Sequence, residues 1–286
     1  MKSICLSGGG VTGLAHVGVL QYLEENDALR TVNTYVGTSI GAVVATLHVI
    51  GCTSNEILKT LTQIDAKTAL NFASCARFFD CFGVDSGEYF MAHLIDQFMK
   101  KAVLPTVTFK DILTLFGKRL IMTGTNLETH LPVYFGPETH SDMRILDAVR
   151  ISVSVPFILS PVRYKGDLYV DGGLTDNFPF QYCVEDSGGD CLAACICSMP
   201  PRPNNNIEDV IYNVLAASLN SKRQKLAPDR RIIYIPTTTF DSFSFAASEH
   251  QKMSLYRLGF LAAQRHLTRT VAEVPKAVTK TRRHSI

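Results

Sequence analysis

Residues 34–50 read TYVGTSIGAVVATLHVI, and this stretch indicates the fold class of the chain. Residues 34–36 carry two β-branched side chains around an aromatic one, which is typical of a buried strand. A turn at residues 37–41 separates this strand from a helix of small residues that reaches Ile50, and Gly51 suits the end of such a helix. A strand that enters a helix through a sharp turn predicts an α/β protein.

The start of the chain predicts a second unit of the same kind. Residues 3–6 form a short apolar run, the sequence GGGVTG follows at residues 8–13, and residues 14–24 place their apolar side chains on one helical stripe. The spacing of Thr53 and Glu56 is that of a capping box and predicts another helix start. Further strands are predicted at residues 119–123, 192–197 and 231–235, and further helices at residues 207–226 and 248–267. Strands that alternate with helices predict an α/β fold with a mostly parallel central sheet.

Composition and charge limit the classes of function. The chain has 286 residues, of which 46% are hydrophobic, and this is enough for one large core. The net charge of +2 arises from 28 basic and 26 acidic side chains, a balance that argues against nucleic acid as a partner. Basic side chains gather near the end, at Lys276, Lys280, Arg282 and Arg283, where we expect either a solvated tail or a weak attraction to anionic lipid head groups.

The cysteines and the apolar runs indicate a compartment. None of the eight cysteines forms a CxxC pair, so we expect reduced, buried thiols and no zinc site. The first residues reach a glycine run before any apolar stretch is long enough for a secretory signal. No apolar run approaches the roughly 18 residues that a membrane span needs. The sequence therefore predicts a cytoplasmic protein with no signal peptide and no transmembrane span.

The sequence Gly37-Thr-Ser39-Ile-Gly41 matches the GxSxG nucleophile elbow. This motif needs a serine on a sharp turn between a strand and a helix, and that is the context in which Ser39 lies. The unpaired N–H groups at the start of the helix, including that of Ile40, favour negative charge. An ester attacked by Ser39 would develop an oxyanion, and the amides of a triple-glycine loop are suitable donors to it.

Asp171 is the candidate base. It stands at the end of an apolar strand, directly before Gly172 and Gly173. An aspartate that precedes glycine commonly caps its own turn, and the local sequence leaves that structural interpretation open.

Three motifs together resemble the patatin-like phospholipases, in the order found in that family. They are the glycine motif at residues 8–13, the elbow at residues 37–41 and the Asp-Gly-Gly sequence at residues 171–173. Shorter agreements are His16-Val-Gly-Val-Leu20, Ser154-Val-Pro-Phe157 and Asn177-Phe-Pro179, and the resemblance covers roughly residues 1–200. It implies a three-layer α/β/α sandwich, a Ser–Asp dyad without a catalytic histidine, and hydrolysis of acyl esters of phospholipids or related lipids with no metal or other cofactor. Ser39 would then be the nucleophile, Asp171 the general base, and the amides of Gly8, Gly9 and Gly10 the oxyanion hole.

The chain departs from the family at one position of the glycine motif. Thr12 stands where the family often has Arg or Lys, and a missing cation would weaken the stabilisation of an oxyanion or a phosphate. A catalytically weak or inactive lipid-binding or scaffold protein of the same fold is therefore one alternative.

The glycine motif also satisfies GxGxxG, so a dinucleotide-binding oxidoreductase is a second alternative. That fingerprint requires an acidic residue about 20 positions on, at the end of the next strand. Residues 31–34 carry no acid, so the requirement fails.

Two sets of side chains admit both a structural and a functional interpretation. His250 and His266 follow Asp171, as the histidine of an ordinary triad would, but their helical context favours structural or surface roles, and His16 is expected to pack beneath the glycine loop. The phenylalanines between the first unit and residue 105 are expected to form either ordinary core or an acyl-chain groove: Phe72, Phe78, Phe79, Phe82, Phe90 and Phe98.

The organisation along the chain follows from the resemblance and the remaining elements. We expect a catalytic core over residues 1–200, helices and a strand packed on the same domain over residues 201–270, and a basic, flexible tail over residues 271–286. The expected partner is a lipid substrate at a membrane or micelle surface, with transient peripheral membrane contact and no nucleic acid. The lipid class and the oligomeric state stay open.

Overall fold

The computed structural model describes residues 1–64, 82–197, 200–221, 228–237, 240 and 247–272. The strands are β1 (Ser3–Leu6), β2 (Thr34–Thr38), β3 (Gly83–Asp85), β4 (Arg119–Asn126), β5 (Leu131–Phe135), β6 (Phe157–Leu159), β7 (Val162–Tyr164), β8 (Asp167–Asp171), β9 (Cys191–Ile196) and β10 (Ile232–Ile235). The helices are α1 (Leu14–Glu25), α2 (Ile40–Val49), α3 (Ser54–Gln63), α4 (Glu88–Lys100), α5 (Phe109–Phe116), α6 (Ile145–Ser152), α7 (Gly173–Asp176), α8 (Phe180–Ser187), α9 (Ile207–Ser221) and α10 (Glu249–Ala272). A 3-10 turn over Gly10–Gly13 leads into α1.

Five neighbouring strands of the main sheet are parallel, in the order β10, β9, β1, β2, β4. The strands β5, β7 and β8 join beyond them in antiparallel pairs, and β3 pairs with β6 in a separate small sheet. The predicted α/β fold with a mostly parallel central sheet is confirmed. The antiparallel strand β5 was not predicted, because it is half-exposed and contains Pro132, a residue that weakens the strand pattern.

The end of β2 and the end of β8 meet along one edge of β4. Thr123 pairs with Thr38 of β2 and also with β5, whereas Gly124 pairs with Asp171 of β8 and also with β5. Because two strands that pair with the same residue lie on opposite edges of it, β2 and β8 share the edge opposite β5. They run in opposite directions, so their carboxyl ends face each other at this point of the sheet.

Helices cover both faces of the sheet. Ile4 and Leu6 of β1 pack into the larger core, which includes side chains of α1, α2, α3 and α10, whereas Cys5 between them faces a smaller core with Phe180 and Cys183 of α8. The same alternation along β4 follows from the two-residue period of a strand. The result is a layer of helices, the sheet and a second helical layer.

The C-terminal helix α10 packs closely against α1. A Cβ atom at Gly18 would lie 2.0 Å from the carbonyl oxygen of Tyr256, and one at Gly259 would lie 1.8 Å from that of Ala15. Only glycine allows the two backbones to approach this closely. The helix α10 therefore packs directly against the helix that follows the glycine loop.

The phenylalanine-rich segment is only partly described, since Phe72, Phe78 and Phe79 lie outside the described residues, as does most of the predicted tail, residues 273–286. Phe98 is fully buried and Phe90 packs against the core, which favours the core interpretation for these two side chains. Phe82 is 65% exposed.

Among the helices in the described parts of the chain, none combines the length and the apolar composition that crossing a bilayer requires.

Candidate active site

Ser39 lies alone between β2 and α2, in a tighter turn than the sequence predicted. It adopts φ 54° and ψ −126°, a backbone conformation that residues other than glycine rarely adopt. A Cβ atom at Gly37 would lie 2.6 Å from the backbone nitrogen of Ala42, and one at Gly41 would lie 2.4 Å from the carbonyl oxygen of Leu6. Both glycines of the elbow are therefore required by the close approach of neighbouring backbone.

Asp171 ends β8 and faces Ser39. The Ser39 hydroxyl donates to Asp171 Oδ2 over 2.6 Å, and the Gly173 amide donates to Asp171 Oδ1 over 2.6 Å. Both side chains of the pair are buried, with exposed fractions of 7% and 3%. Burial raises the pKa of Asp171 to about 7, although the two hydrogen bonds act in the opposite direction.

The backbone of both residues is held by the end of α6 and by the turn that follows it. The Ser39 amide donates to Ser152 Oγ over 2.9 Å, and the Ser152 hydroxyl donates to the carbonyl oxygen of Thr123 over 2.8 Å. The Asp171 amide donates to the carbonyl oxygen of Ser154 over 2.8 Å. The sequence interpretation included Ser154 only as part of the resemblance and missed Ser152, since a buried serine at the end of an apolar helix carries no local signal.

The glycine loop borders Ser39, but the amides of its three glycines differ in their hydrogen bonds. A Cβ atom at Gly8 would lie 3.3 Å from that of Ser39, yet the Gly8 amide already donates to the carbonyl oxygen of Asn177 over 2.9 Å. Within the described residues, the amides of Gly9 and Gly10 have no hydrogen-bond acceptor. The proposed oxyanion donors therefore narrow from three amides to those of Gly9 and Gly10.

Thr12 forms hydrogen bonds inside the glycine loop. It is fully buried, and its hydroxyl and its amide both donate to the carbonyl oxygen of Gly9, over 2.6 and 3.1 Å. A threonine at this position therefore helps to fix the orientation of the Gly9 peptide unit.

The site and the fold agree with a family match. The model of the patatin-like phospholipases matches residues 4–184, well over half of the chain and a range that includes the glycine loop, Ser39 and Asp171. The chain belongs to the patatin-like phospholipase family. This family is a group of serine acyl hydrolases.

Relatives of this patatin-like chain include proteins that are named for lipid functions. The probable lipid hydrolase 463L of Invertebrate iridescent virus 6 is 30% identical over 188 residues, which cover 64% of this chain and 63% of that protein. The lysophospholipase NTE1 of Candida glabrata is 28% identical over 176 residues, which cover 62% of this chain and 9% of that protein. The chain thus spans less than two thirds of the length of these relatives.

Two solved structures share the patatin-like fold. VipD from Legionella pneumophila matches with a TM-score of 0.66 and 17% identity, over 94% of this chain and 67% of that chain. A chain of the ExoU–SpcU complex from Pseudomonas aeruginosa matches with a TM-score of 0.55 and 20% identity, over 95% of this chain and 52% of that chain. At these identities the likeness shows the fold alone.

The histidines that could complete a triad lie elsewhere in this patatin-like molecule. In the part of the chain that the structure describes, the Asp171 carboxylate accepts hydrogen bonds from Ser39 and Gly173 and from no imidazole. His250 is exposed on α10, and His266, on the same helix, contacts the backbone of Arg230.

His16 lies beneath the glycine loop, as the sequence predicted. Its Nε2 atom is 2.8 Å from the carbonyl oxygen of Ser7, and burial lowers the pKa of His16 to about 4. The imidazole is therefore neutral at physiological pH.

Over the described stretches, no three His, Cys, Asp or Glu side chains are grouped closely enough to hold a metal ion.

Proposed function

We propose that this chain is a lipid acyl hydrolase of the phospholipase A type, which cleaves carboxylic esters of phospholipids or related lipids through an acyl-serine intermediate. The observation that carries the proposal is the 2.6 Å hydrogen bond from the Ser39 hydroxyl to Asp171 Oδ2 inside a buried site. A nucleophile and a base within hydrogen-bond reach are the minimum that acyl transfer needs.

In the acylation step, Ser39 Oγ attacks the ester carbonyl carbon while its proton passes to Asp171 Oδ2. The carbonyl π electrons move to the oxygen, which becomes the oxyanion of a tetrahedral intermediate. The amides of Gly9 and Gly10 are the donors that we assign to this oxyanion. The intermediate then expels the alcohol, whose oxygen takes the proton from Asp171.

Deacylation repeats these steps with water as the nucleophile. Asp171 Oδ2 accepts a proton from the water as its oxygen attacks the acyl carbon, and it returns that proton to Ser39 Oγ as the fatty acid leaves. A base with a pKa of about 7 is suited to both directions of transfer, because it is partly ionised near neutral pH and is more basic than an ordinary carboxylate.

The substrate class rests on the family and on the names of relatives. A probable lipid hydrolase and a lysophospholipase are among them, so phospholipids and lysophospholipids are the first substrates to examine. Such lipids reside in membranes or micelles, and we propose that the protein acts from the aqueous side, in the cytoplasm, by transient contact with their surface. We also propose the division of the chain at residue 200 into a catalytic core and a segment packed on it.

The weak or inactive lipid-binding alternative keeps the departure at Thr12 as its support. The contacts of Thr12 weaken this support, because Thr12 orders the Gly9 peptide unit and the hydrogen bond between Ser39 and Asp171 is present. Reaction with an active-site probe separates the two functions.

The experiment is labelling with a fluorophosphonate, which phosphonylates an activated serine. The wild-type protein should react and Ser39→Ala should not. Ser54→Ala is the control, because Ser54 is also a buried serine but lies at the start of α3. Absence of labelling in folded wild-type protein contradicts the hydrolase proposal. Mass spectrometry of the products from a mixed lipid extract then identifies the ester that is cleaved.

A further inference from the structure

The junction between β2 and β8 leaves backbone groups that no strand can pair. The two strands meet end to end along β4, and Ser39 leaves the ladder after Thr38, which lies opposite Thr123. The ladder ends here in a buried place, where an unpaired N–H or C=O group is unfavourable.

One hydroxyl group serves both backbone groups at this junction. Ser152 Oγ accepts from the Ser39 amide over 2.9 Å and donates to the carbonyl oxygen of Thr123 over 2.8 Å. Its exposed fraction is 0%, so the bridge is shielded from bulk solvent. A serine hydroxyl has one proton and two lone pairs, which is the combination that this bridge uses.

The helix that carries Ser152 is itself anchored. Arg150, two residues earlier, donates through Nη2 to the carbonyl oxygens of Ser86 and Ser160 over 2.8 and 2.9 Å, and through Nη1 to the Ser154 hydroxyl. These contacts tie the end of α6 to the segments beside it. Ser154, two residues after the end of α6, also holds the Asp171 amide through its carbonyl group.

We infer that Ser152 is a positioning residue for the Ser–Asp dyad: its hydroxyl holds the Ser39 amide, and thereby keeps Ser39 in the strained turn that directs its own hydroxyl at Asp171. The inference rests on the proposed function for its kinetic consequence. The bridge itself is a property of the backbone and can be measured without any substrate.

The physical reason is the unusual conformation of Ser39. A serine at φ 54° has a backbone conformation that is unfavourable by itself, so contacts with the surrounding residues must hold Ser39 in it. Without the Ser152 hydroxyl, the Ser39 amide loses its acceptor and the turn is free to relax. A displacement of the nucleophile of the order of 1 Å would break the 2.6 Å contact with Asp171.

The test compares Ser152→Ala with Ser54→Ala, the same substitution at an equally buried serine outside the site. With a soluble p-nitrophenyl ester, Ser152→Ala should lower kcat by about 10²-fold with KM little changed, whereas Ser54→Ala should leave both near their wild-type values. The rate of fluorophosphonate labelling should fall in parallel with kcat.

Two further measurements separate positioning from a loss of structure. The midpoint of the pH–rate profile should move to higher pH in Ser152→Ala, because the hydrogen bond from Ser39 is one of two that lower the pKa of Asp171. Hydrogen exchange of the Ser39 amide, followed by NMR, should become faster in Ser152→Ala and stay unchanged in Ser54→Ala. Should Ser152→Ala not fold, Ser152→Cys replaces the hydroxyl with a somewhat larger thiol that is a weak hydrogen-bonding group, and it should show the same shifts in smaller size.

Equal kcat, equal labelling and equal Ser39 amide exchange in Ser152→Ala and wild type would overturn the inference. If the wild-type protein hydrolyses no ester and reacts with no probe, while the Ser39 amide still loses protection in Ser152→Ala, the proposed function fails and the bridge stands.

Discussion

The end of β8 and the start of α3 each hold a carboxylate, and the two have opposite chemistry. Asp171 accepts a hydrogen bond from the Gly173 amide over 2.6 Å. Glu56 accepts one from the Thr53 amide over 2.7 Å, as part of a capping box. Glu56 also forms an ion pair with Lys101 over 2.7 Å, whereas Asp171 has a neutral hydroxyl as its other partner. The hydrogen bond from Lys101, with those from Thr53, lowers the pKa of Glu56 to about 2, and burial raises that of Asp171 to about 7.

The difference shows that the surroundings, and not the carboxyl group, decide which acid can act as a base. A carboxylate with a cation beside it and water around it holds its charge at any physiological pH and contributes to stability. A carboxylate buried with neutral donors alone binds a proton near pH 7 and can exchange it with a substrate. This difference supports the proposal that Asp171 at the end of β8 acts as the base, and it gives Glu56 at the start of α3 a stabilising role.

The largest effect is expected from Asp171→Asn. The amide fits the site, because its oxygen can accept from Gly173 and its nitrogen can donate to Ser39, but it cannot take a proton. Turnover should fall by about 10³-fold, measured as kcat on a soluble ester. Substrate binding should change much less, since the shape of the site is kept.

The same variant should be more stable than the wild type at high pH. The pKa of Asp171 in the folded protein lies above its usual value of 3.8, so the folded state favours the protonated carboxyl group. The stability that comes from this protonated form is fully present below pH 3.8 and is lost as the pH rises through about 7. Asp171→Asn should thus raise the free energy of unfolding at pH 8 by about 4 kcal/mol and change it little at pH 4. A lower stability than the wild type at pH 8 contradicts the assignment.

The pH–rate profile gives the next effect. Only ionised Asp171 can accept the Ser39 proton, so kcat/KM should fall about tenfold for each pH unit below 7 and level off above it. Asp176, at the end of α7, accepts a hydrogen bond from the Tyr134 hydroxyl over 2.5 Å and does not share the dyad. A midpoint near pH 4 would mean that the base is an ordinary exposed carboxyl group.

Glu56→Gln should affect stability modestly and catalysis not at all. Glutamine keeps much of the cap but loses the ion pair with Lys101, and both partners are partly exposed, so the loss should be about 0.5–1 kcal/mol in the free energy of unfolding. The lowered pKa of Glu56 means that its contribution is present above pH 4.5 and is lost as the pH falls through about 2. The difference from the wild type in urea denaturation should therefore be full at pH 7 and absent near pH 2.

The smallest effects are expected from His250→Ala and His266→Ala. Neither imidazole contacts the dyad in the described structure, so kcat should stay within about twofold of the wild type for both. Loss of most turnover in either variant would replace the dyad with a triad.

Local patterns predicted much of the fold. The strand–turn–helix unit around Ser39, the start of α3 at its capping box and the parallel core of the sheet follow from side-chain periodicity and from cap and turn residues, which act over a few positions. The boundaries were less accurate: β2 continues through Thr38, so the elbow is a single residue. The two glycines of the elbow indicate a close approach of neighbouring backbone, but they do not specify at which residue β2 ends.

The residues of the candidate site also fall into two groups, those that local motifs identified and those that they did not. The candidate nucleophile, the candidate base and the glycine loop were all identified as motifs, whereas Ser152 was not, because its role depends on Thr123 and Ser39, which are 29 and 113 positions away. Likewise, only the contact with Asn177 distinguishes the Gly8 amide from those of Gly9 and Gly10.

By itself, the sequence determined that this chain contains a nucleophile elbow, an acid before a double glycine, and the order of motifs that belongs to its family. The tertiary structure alone decided that the ends of β2 and β8 meet on one edge of β4, where burial raises the pKa of Asp171 to about 7 and a single hydroxyl bridges the interrupted ladder. The physical reason is that strand pairing and desolvation depend on residues far apart in the chain, 132 positions in the case of Ser39 and Asp171, and short-range patterns carry no information about them.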